Sequence, residues 1–141
     1  MGQQQILLLV LSVVIIATTI AVSADQFNNK IKTSNRKAII QDMYNLACLA
    51  IAFSKTPASF GGGGGDWDAD RFYAYCSYPI SNNGKYIETS NGRIQVSEIS
   101  KGRLRIKGWG NEIGFDDKKA IRARLFLSGT GIEDMAFKIL N

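Results

Sequence analysis

Histidine is absent from the sequence, and only two of its 141 residues are cysteine and two are proline. Without histidine the chain has no means of forming a Ser-His-Asp or Cys-His nucleophilic site, or a His-ligated zinc or haem centre. Two cysteines are too few for a four-cysteine metal cluster. Paired carboxylates are still available for acid–base chemistry. The composition nevertheless favours a protein that is not an enzyme, with no catalytic residues and no bound cofactor.

Charge is also absent from the first 24 residues. Within them, residues 6–22 read ILLLVLSVVIIATTIAV. Seventeen helical residues span roughly 25 Å, just short of the apolar core of a bilayer. The glutamines before this run and Ser23-Ala24 after it extend the helix. Residues 1–24 therefore predict a helical segment for a membrane or for the core of a filament.

Helical character continues beyond this segment. No proline or glycine occurs between residues 3 and 56. Apolar residues then recur at steps of three and four, at Ile39, Met43, Leu46, Ala50 and Phe53, which is the period of an amphipathic helix. We predict one helix that runs to about residue 54 and stops before Pro57, since proline cannot continue it. Its second half, residues 25–54, is expected to pack on the chain's own globular domain.

The remainder, residues 55–141, begins with a glycine-rich loop at residues 61–65. Glycine loses the most backbone entropy on ordering, so this run favours neither helix nor strand. Residues 66–85 read as an irregular, aromatic-rich stretch. The period then changes to two, with a short strand at 86–89 and alternating segments at 93–99, 103–107, 119–127 and 132–140. The four alternating segments predict a four-stranded antiparallel β-meander covered by the amphipathic half of the helix, an α+β fold.

The apolar N-terminal segment is open to three interpretations. A cleaved signal peptide would use Val22-Ser23-Ala24 as its cleavage site, but the segment lacks the usual positive n-region. A plain membrane anchor would place Lys30 and the basic residues after it in the cytoplasm. The third interpretation, which we favour, is an anchor that becomes the core of a protein filament.

This organisation resembles bacterial type IV pilins and pseudopilins, which combine a charge-free N-terminal helix, its amphipathic continuation, a loop and an antiparallel sheet. The resemblance implies that Met1 is the processed, N-methylated terminus. Either the numbering is that of a matured chain, or Met1 is the translation start and prepilin peptidase is bypassed. Family members carry a glutamate at position 5 that pairs with a neighbouring terminal amine. Here Gln5 replaces it, and a neutral amide offers only hydrogen bonds.

Self-assembly follows from the apolar surface. Outside lipid, residues 6–22 would expose on the order of 1,500 Å² of apolar area, far more than a soluble monomer tolerates. Copies stacked in a staggered, non-closing contact would bury it as a filament. The expected partners are copies of the chain, with the inner membrane and an assembly machinery before export to the cell surface. The predicted filament core comprises Gln5, Ile6, Leu7, Leu8, Leu9, Val10, Leu11, Val13, Val14, Ile15, Ile16 and Ile20.

The two cysteines are candidates for a disulfide. Cys48 lies in the second half of the helix and Cys76 in the aromatic-rich stretch. An exported subunit would meet an oxidising environment in which disulfides persist. The alternative is two unpaired thiols packed as small apolar groups. We predict the disulfide.

Two charged groups are weaker candidates for binding. Asp66, Asp68 and Asp70 alternate as calcium-binding carboxylates do, but the other ligands of an EF-hand are missing, which favours a solvated acidic loop. Basic residues also recur on one face of two predicted strands, at Arg103, Arg105, Lys107, Arg122 and Arg124. This basic surface would suit nucleic acid. Residues 61–141 have only a small excess of positive charge, however, so we expect a solvated sheet face and no nucleic-acid partner.

Three functions are therefore carried forward. The first is a structural subunit of an extracellular pilus. The second is a pseudopilin-like part of a secretion or DNA-uptake machine, which would be scarce and would form no long fibres alone. The third is a membrane-anchored binding module that uses the basic surface.

Overall fold

The computed structural model describes residues 2–100, 103–129 and 131–140, with only the backbone of 97–100. Met1, the predicted processed terminus, lies outside the described residues. A single helix, α1, occupies Gly2–Lys55, as predicted. At 1.5 Å per residue it is about 80 Å long. Pro57 lies just beyond its end, with a φ of −59°, and leads into a 3-10 turn at Ala58–Phe60.

The glycine-rich loop caps the end of α1. The backbone amides of Gly63 and Gly65 donate to the carbonyls of Phe53 and Ser54, each at 2.8 Å, and Gly64 donates to Thr56 at 2.9 Å. The Phe53 and Ser54 carbonyls belong to the last turn of α1, where intrahelical donors run out, and Thr56 follows directly after the helix. A Cβ on Gly63 would lie 2.8 Å from the Phe53 ring. Close backbone approach therefore explains the glycine at this position.

Within the described residues, the sheet has five antiparallel strands in sequential order, whereas four were predicted. The strands are β1 (Ile87–Thr89), β2 (Gly92–Ser100), β3 (Arg103–Ile113), β4 (Ala120–Leu127) and β5 (Met135–Ile139). The prediction undercounted because β1, although only three residues long, pairs fully with β2. Residues 132–134, predicted as the start of the last strand, form a 3-10 turn instead.

Strand β3 is longer than predicted. The sequence Gly108-Trp109-Gly110 was expected to end it, but the strand continues to Ile113. A Cβ on Gly108 would lie 3.2 Å from a side-chain carbon of Ile39 and would also meet Met43. Glycine is needed here because α1 crosses the strand at close range. A close approach by other parts of the chain is a common reason for glycine inside a strand.

Residues 69–76, predicted as irregular, form a second helix, α2 (Ala69–Cys76). Asp68 is its N-cap, and its carboxylate accepts hydrogen bonds from the amides of Asp70 and Arg71. Phe72 is buried, with its ring centroid 5.6 Å from that of Phe53 on α1. This edge-to-face contact fixes α2 against the C-terminal end of α1.

The core lies between α1 and one face of the sheet, which gives an α+β fold. The helix contributes the predicted stripe together with Ala47 and Ile51. The sheet contributes alternate residues of its strands, since successive side chains point to opposite faces. Its buried side chains are Ile87, Ile94, Val96, Leu104, Ile106, Ile121, Ala123, Leu125 and Leu127.

Candidate functional site

The most exposed apolar surface is the first half of α1. All residues from 2 to 30 are exposed, which extends the free segment beyond the predicted boundary at residue 24. The large apolar side chains of residues 6–20 are 52% to 69% exposed on every side of the helix. By length and composition this helix is able to cross a bilayer, and none of its most apolar window is buried. The exposed set includes every apolar residue predicted for the filament core.

Hydroxyl groups within this segment are satisfied by the helix itself. Ser12 donates to the carbonyl of Leu9 at 2.8 Å, and Thr19 donates to that of Ile15 at 2.7 Å. Thr18 lies 2.9 Å from the carbonyl of Ile15 and 3.1 Å from that of Val14. An unpaired hydroxyl is costly in lipid or in a dry protein core. The segment therefore suits an environment without water.

The N-terminal end of α1 carries amides rather than charges. Gln3, Gln4 and Gln5 are exposed in the first turn, which contains no acidic residue. The first amides of any helix have no intrahelical acceptor. Gln5 thus presents both a donor and an acceptor beside these backbone amides, and its side chain is uncharged.

A polar clamp holds the middle of α1 to the sheet. The Asn35 side chain donates to the carbonyl of Asn91 at 2.9 Å, and Asn91 in turn donates to the Asp42 carboxylate at 2.9 Å. Lys32 pairs with Asp117, and the Arg36 guanidinium lies 5.6 Å from the Phe115 ring centroid. None of these contacts was predicted, because each joins residues far apart in the sequence. They fix the direction in which residues 2–30 leave the domain.

The sheet face turned away from α1 is basic. In β3 and β4 the buried residues alternate with Arg103, Arg105, Lys107, Arg122 and Arg124, so the structure places all five on this outer face. Strand register puts Lys107 opposite Arg124 and Arg124 opposite Lys138. Three cations therefore stand side by side across three strands. Lys138 was not predicted to belong to this surface, although the alternation of residues 135–139 would place it on the same face.

Aromatic residues share this outer face. The Arg93 guanidinium lies 5.4 Å from the ring centroid of Tyr86 and 5.8 Å from that of Trp109. Arg105 lies similarly over Phe126, at 5.1 Å. A shallow cavity of about 120 Å³ opens among Lys107, Trp109, Arg122, Ala123, Arg124 and Leu140. We call the seven cations of this face the basic face: Arg93, Arg103, Arg105, Lys107, Arg122, Arg124 and Lys138.

The two cysteines are both half-buried free thiols in the structure, so the predicted disulfide is not formed here. Cys76 packs against the core at the end of α2. Burial raises the pKa of the Cys76 thiol to about 12. Because the thiolate is the reactive form, this burial makes Cys76 a poor nucleophile at neutral pH.

The acidic residues Asp66, Asp68 and Asp70 are exposed beside the glycine-rich loop. Asp68 is engaged as the cap of α2, where a carboxylate is a common helix-starting group. Within the described ranges, no three His, Cys, Asp or Glu side chains are grouped so that they could hold a metal ion. Capping is therefore the role that the structure gives to Asp68.

A long, apolar N-terminal helix that packs its second half on an antiparallel sheet is a pilin-like architecture. Comparison of the chain with protein-family models, with curated proteins and with solved structures gave no match.

Proposed function

We propose that this protein is a structural subunit of an extracellular pilus-like filament that assembles through residues 2–24 of α1. The observation that supports this proposal most is that residues 6–22 are apolar, exposed on every side and part of the same helix that packs on the domain's core. At roughly 25 cal/mol per Å², burying such a surface is worth tens of kcal/mol gross before ordering costs. Copies of the segment provide that burial outside the membrane.

Rigidity supports a filament over a simple tether. No proline or glycine breaks α1 between the exposed and packed halves, and the Asn35 clamp lies just beyond the exposed residues. A membrane tether needs only to reach the bilayer, and a flexible linker serves for that. A regular polymer needs every domain at the same angle and distance from its core. Lipid would cover the same segment before assembly, which accounts for membrane anchoring at that stage.

The sheet would then form the outer shell. Its inner face packs on α1, so the outer face points away from the helix that would line the filament axis. The uncharged glutamines at the helix end would meet the glutamines and backbone amides of neighbouring copies in the core. Neutral amides cost less to bury than an unpaired carboxylate.

Assembly of the purified full chain tests this proposal. The chain is extracted in detergent, the detergent is removed, and the product is examined by negative-stain electron microscopy. We expect long uniform fibres from the wild type and none from Leu11→Asp, which places a charge in the proposed core. Asn28→Asp introduces the same charge at an exposed polar position of the same helix and should still assemble.

The opposite results are equally clear. A wild-type chain that stays monomeric in detergent and lipid would support a plain anchor, and short oligomers without fibres would support a pseudopilin-like machine part. N-terminal sequencing of material from producing cells completes the test. A soluble chain that begins at Asp25 would identify a signal peptide and overturn the filament proposal.

A second candidate function is a binding module for polyanions, favoured by the register of the basic face. Like charges directly opposite each other in a sheet are destabilising, yet Lys107, Arg124 and Lys138 are aligned in one row. We expect the double variant Lys107→Glu/Arg124→Glu to lose salt-dependent binding of heparin, used as the polyanion probe. The control Lys30→Glu/Lys37→Glu makes the same change in net charge on α1. Equal binding by both variants would reject a site on the basic face.

A further inference from the structure

One edge of the sheet leaves apolar side chains half uncovered on the face that packs against α1. Phe137 stands opposite Leu125, and Ile139 stands opposite Ala123. Leu125 and Ala123 are fully buried, whereas Phe137 is 39% exposed and Ile139 is 44% exposed. The exposed fractions differ because α1 packs chiefly on β3 and β4. The inner side of β5 therefore lies to one side of the helix and not beneath it. We call Phe137 and Ile139 the β5 strip.

The opposite edge of the sheet is closed. Ile80 bridges to Ile87 of β1, the amide of Ser81 donates to the carbonyl of Tyr86 at 2.8 Å, and Glu88 donates to Pro79 at 3.1 Å. Residues 79–81 thereby cover β1. Natural proteins usually protect sheet edges in this way, so the apolar β5 edge stands out. The sheet is asymmetric, with one protected edge and one apolar edge.

We propose that the β5 strip is the docking site for the exposed helical segment of a second copy of this chain. The strip continues the surface on which α1 already packs, so a second helix laid beside α1 would touch both α1 and β5. Packed helices lie about 8–10 Å apart, which places that second helix over the neighbouring strand. Residues 6–22 are apolar on all sides and suit such a site. This inference rests on the proposed function and adds the part of the domain that receives the helix.

The sheet register also sets a minimum stagger between the copies. Ile139 pairs with Ala123, and Ala123 pairs with Gly108, which lies against Ile39 and Met43 of α1. The β5 strip is therefore level with residues 39–43 of its own helix. The apolar run of a parallel neighbour ends at residue 22. For that run to reach the β5 strip, the neighbour must be displaced by at least about 17 residues, or roughly 26 Å, along the helix direction.

A contact of this kind does not close on itself. The β5 strip of one copy receives the helix of the next, whose own β5 strip remains free. Repeated heterologous contacts of this type generate open helical polymers. The strip thus gives each subunit a second apolar surface, different from the helix that fills it.

Substitution on the two sides of β5 tests the inference. In the detergent-removal assay, we expect Phe137→Glu/Ile139→Glu to reduce fibre mass at least tenfold. The control Ala136→Glu places a carboxylate on the outer side of the same strand, where Ala136 stands opposite Phe126, and should assemble as the wild type does. Circular dichroism in detergent verifies that each variant is folded.

A photo-crosslink settles the result even if the double variant is unfolded. Benzoylphenylalanine at position 137 keeps an aromatic ring there, and in fibres it should crosslink to residues 6–22 of another copy. Two results would overturn this inference but leave the proposed function intact. In both, the wild type forms fibres. In the first, position 137 crosslinks to other segments; in the second, a folded Phe137→Glu/Ile139→Glu variant assembles fully. Absence of wild-type fibres removes the proposed function, and the inference with it.

Discussion

At the residue scale, burial sets the chemistry of the two titratable groups near the end of α2. Burial raises the pKa of Cys76 to about 12, and it also raises the pKa of Tyr73, whose hydroxyl accepts a hydrogen bond from the Val96 amide at 3.2 Å. That hydrogen bond opposes the shift, while Cys76 and Asp70 add to it through charge repulsion. In both cases the folded state holds its proton at a pH where the unfolded chain releases it.

This difference predicts an alkaline loss of stability. A group whose pKa is raised by folding stabilises the fold below its unfolded pKa, near 9 for cysteine, and loses that contribution as the pH rises toward 12. The melting temperature of the wild type should therefore fall between pH 9 and pH 12. The melting temperature of the Cys76→Ala variant should fall less over the same range. Melting curves of both proteins at pH 8 serve as the reference. Parallel curves for the two proteins would contradict the account.

At the element scale, α1 depends on its polar clamp as well as on its apolar stripe. Asn35→Ala removes the bond to the Asn91 carbonyl and an acceptor 3.4 Å from the Glu112 amide. We expect a loss of about 1 kcal/mol in the free energy of unfolding, because the part-buried hydrogen bond between α1 and the Asn91 carbonyl is lost. Asn45→Ala is the control, since Asn45 is exposed and its side chain accepts a hydrogen bond from Gln41 on the same helix. Its effect should stay within about 0.5 kcal/mol in urea titrations. Equal losses for the two variants would show that the clamp contributes nothing.

The elements also differ in how far the sequence determines them. Helix α1 was predictable almost to the residue, because its apolar period is long and Pro57 marks its end. Helix α2 was missed because it is short and aromatic-rich, although Asp68 is a standard capping residue. Strand β3 was cut short because Gly108 serves the crossing of α1, a tertiary requirement with no local signal. Within the candidate site, the exposed helix is a local property of the sequence. The row of cations depends on strand register, which local patterns leave open.

At the scale of the whole molecule, three surfaces have different roles in the account. In the proposed filament, the exposed half of α1 would supply apolar area, the β5 strip would receive it from a second copy, and the basic face would point outward. A filament built in this way would repeat the basic face along its length and so present many weak electrostatic sites to a polyanion, which raises avidity. The free chain has a net charge of +5, in keeping with such a surface.

Helical reconstruction by cryo-electron microscopy of fibres sheared from producing cells is the sharpest test of the filament proposal. In the proposed filament, residues 2–24 of each copy lie at the fibre axis, enclosed by α1 helices of other copies, with the sheet outside. Fibres whose axis is lined by the sheet would contradict it. So would finding the chain only in the membrane fraction, with residues 6–22 in lipid and no fibre containing it.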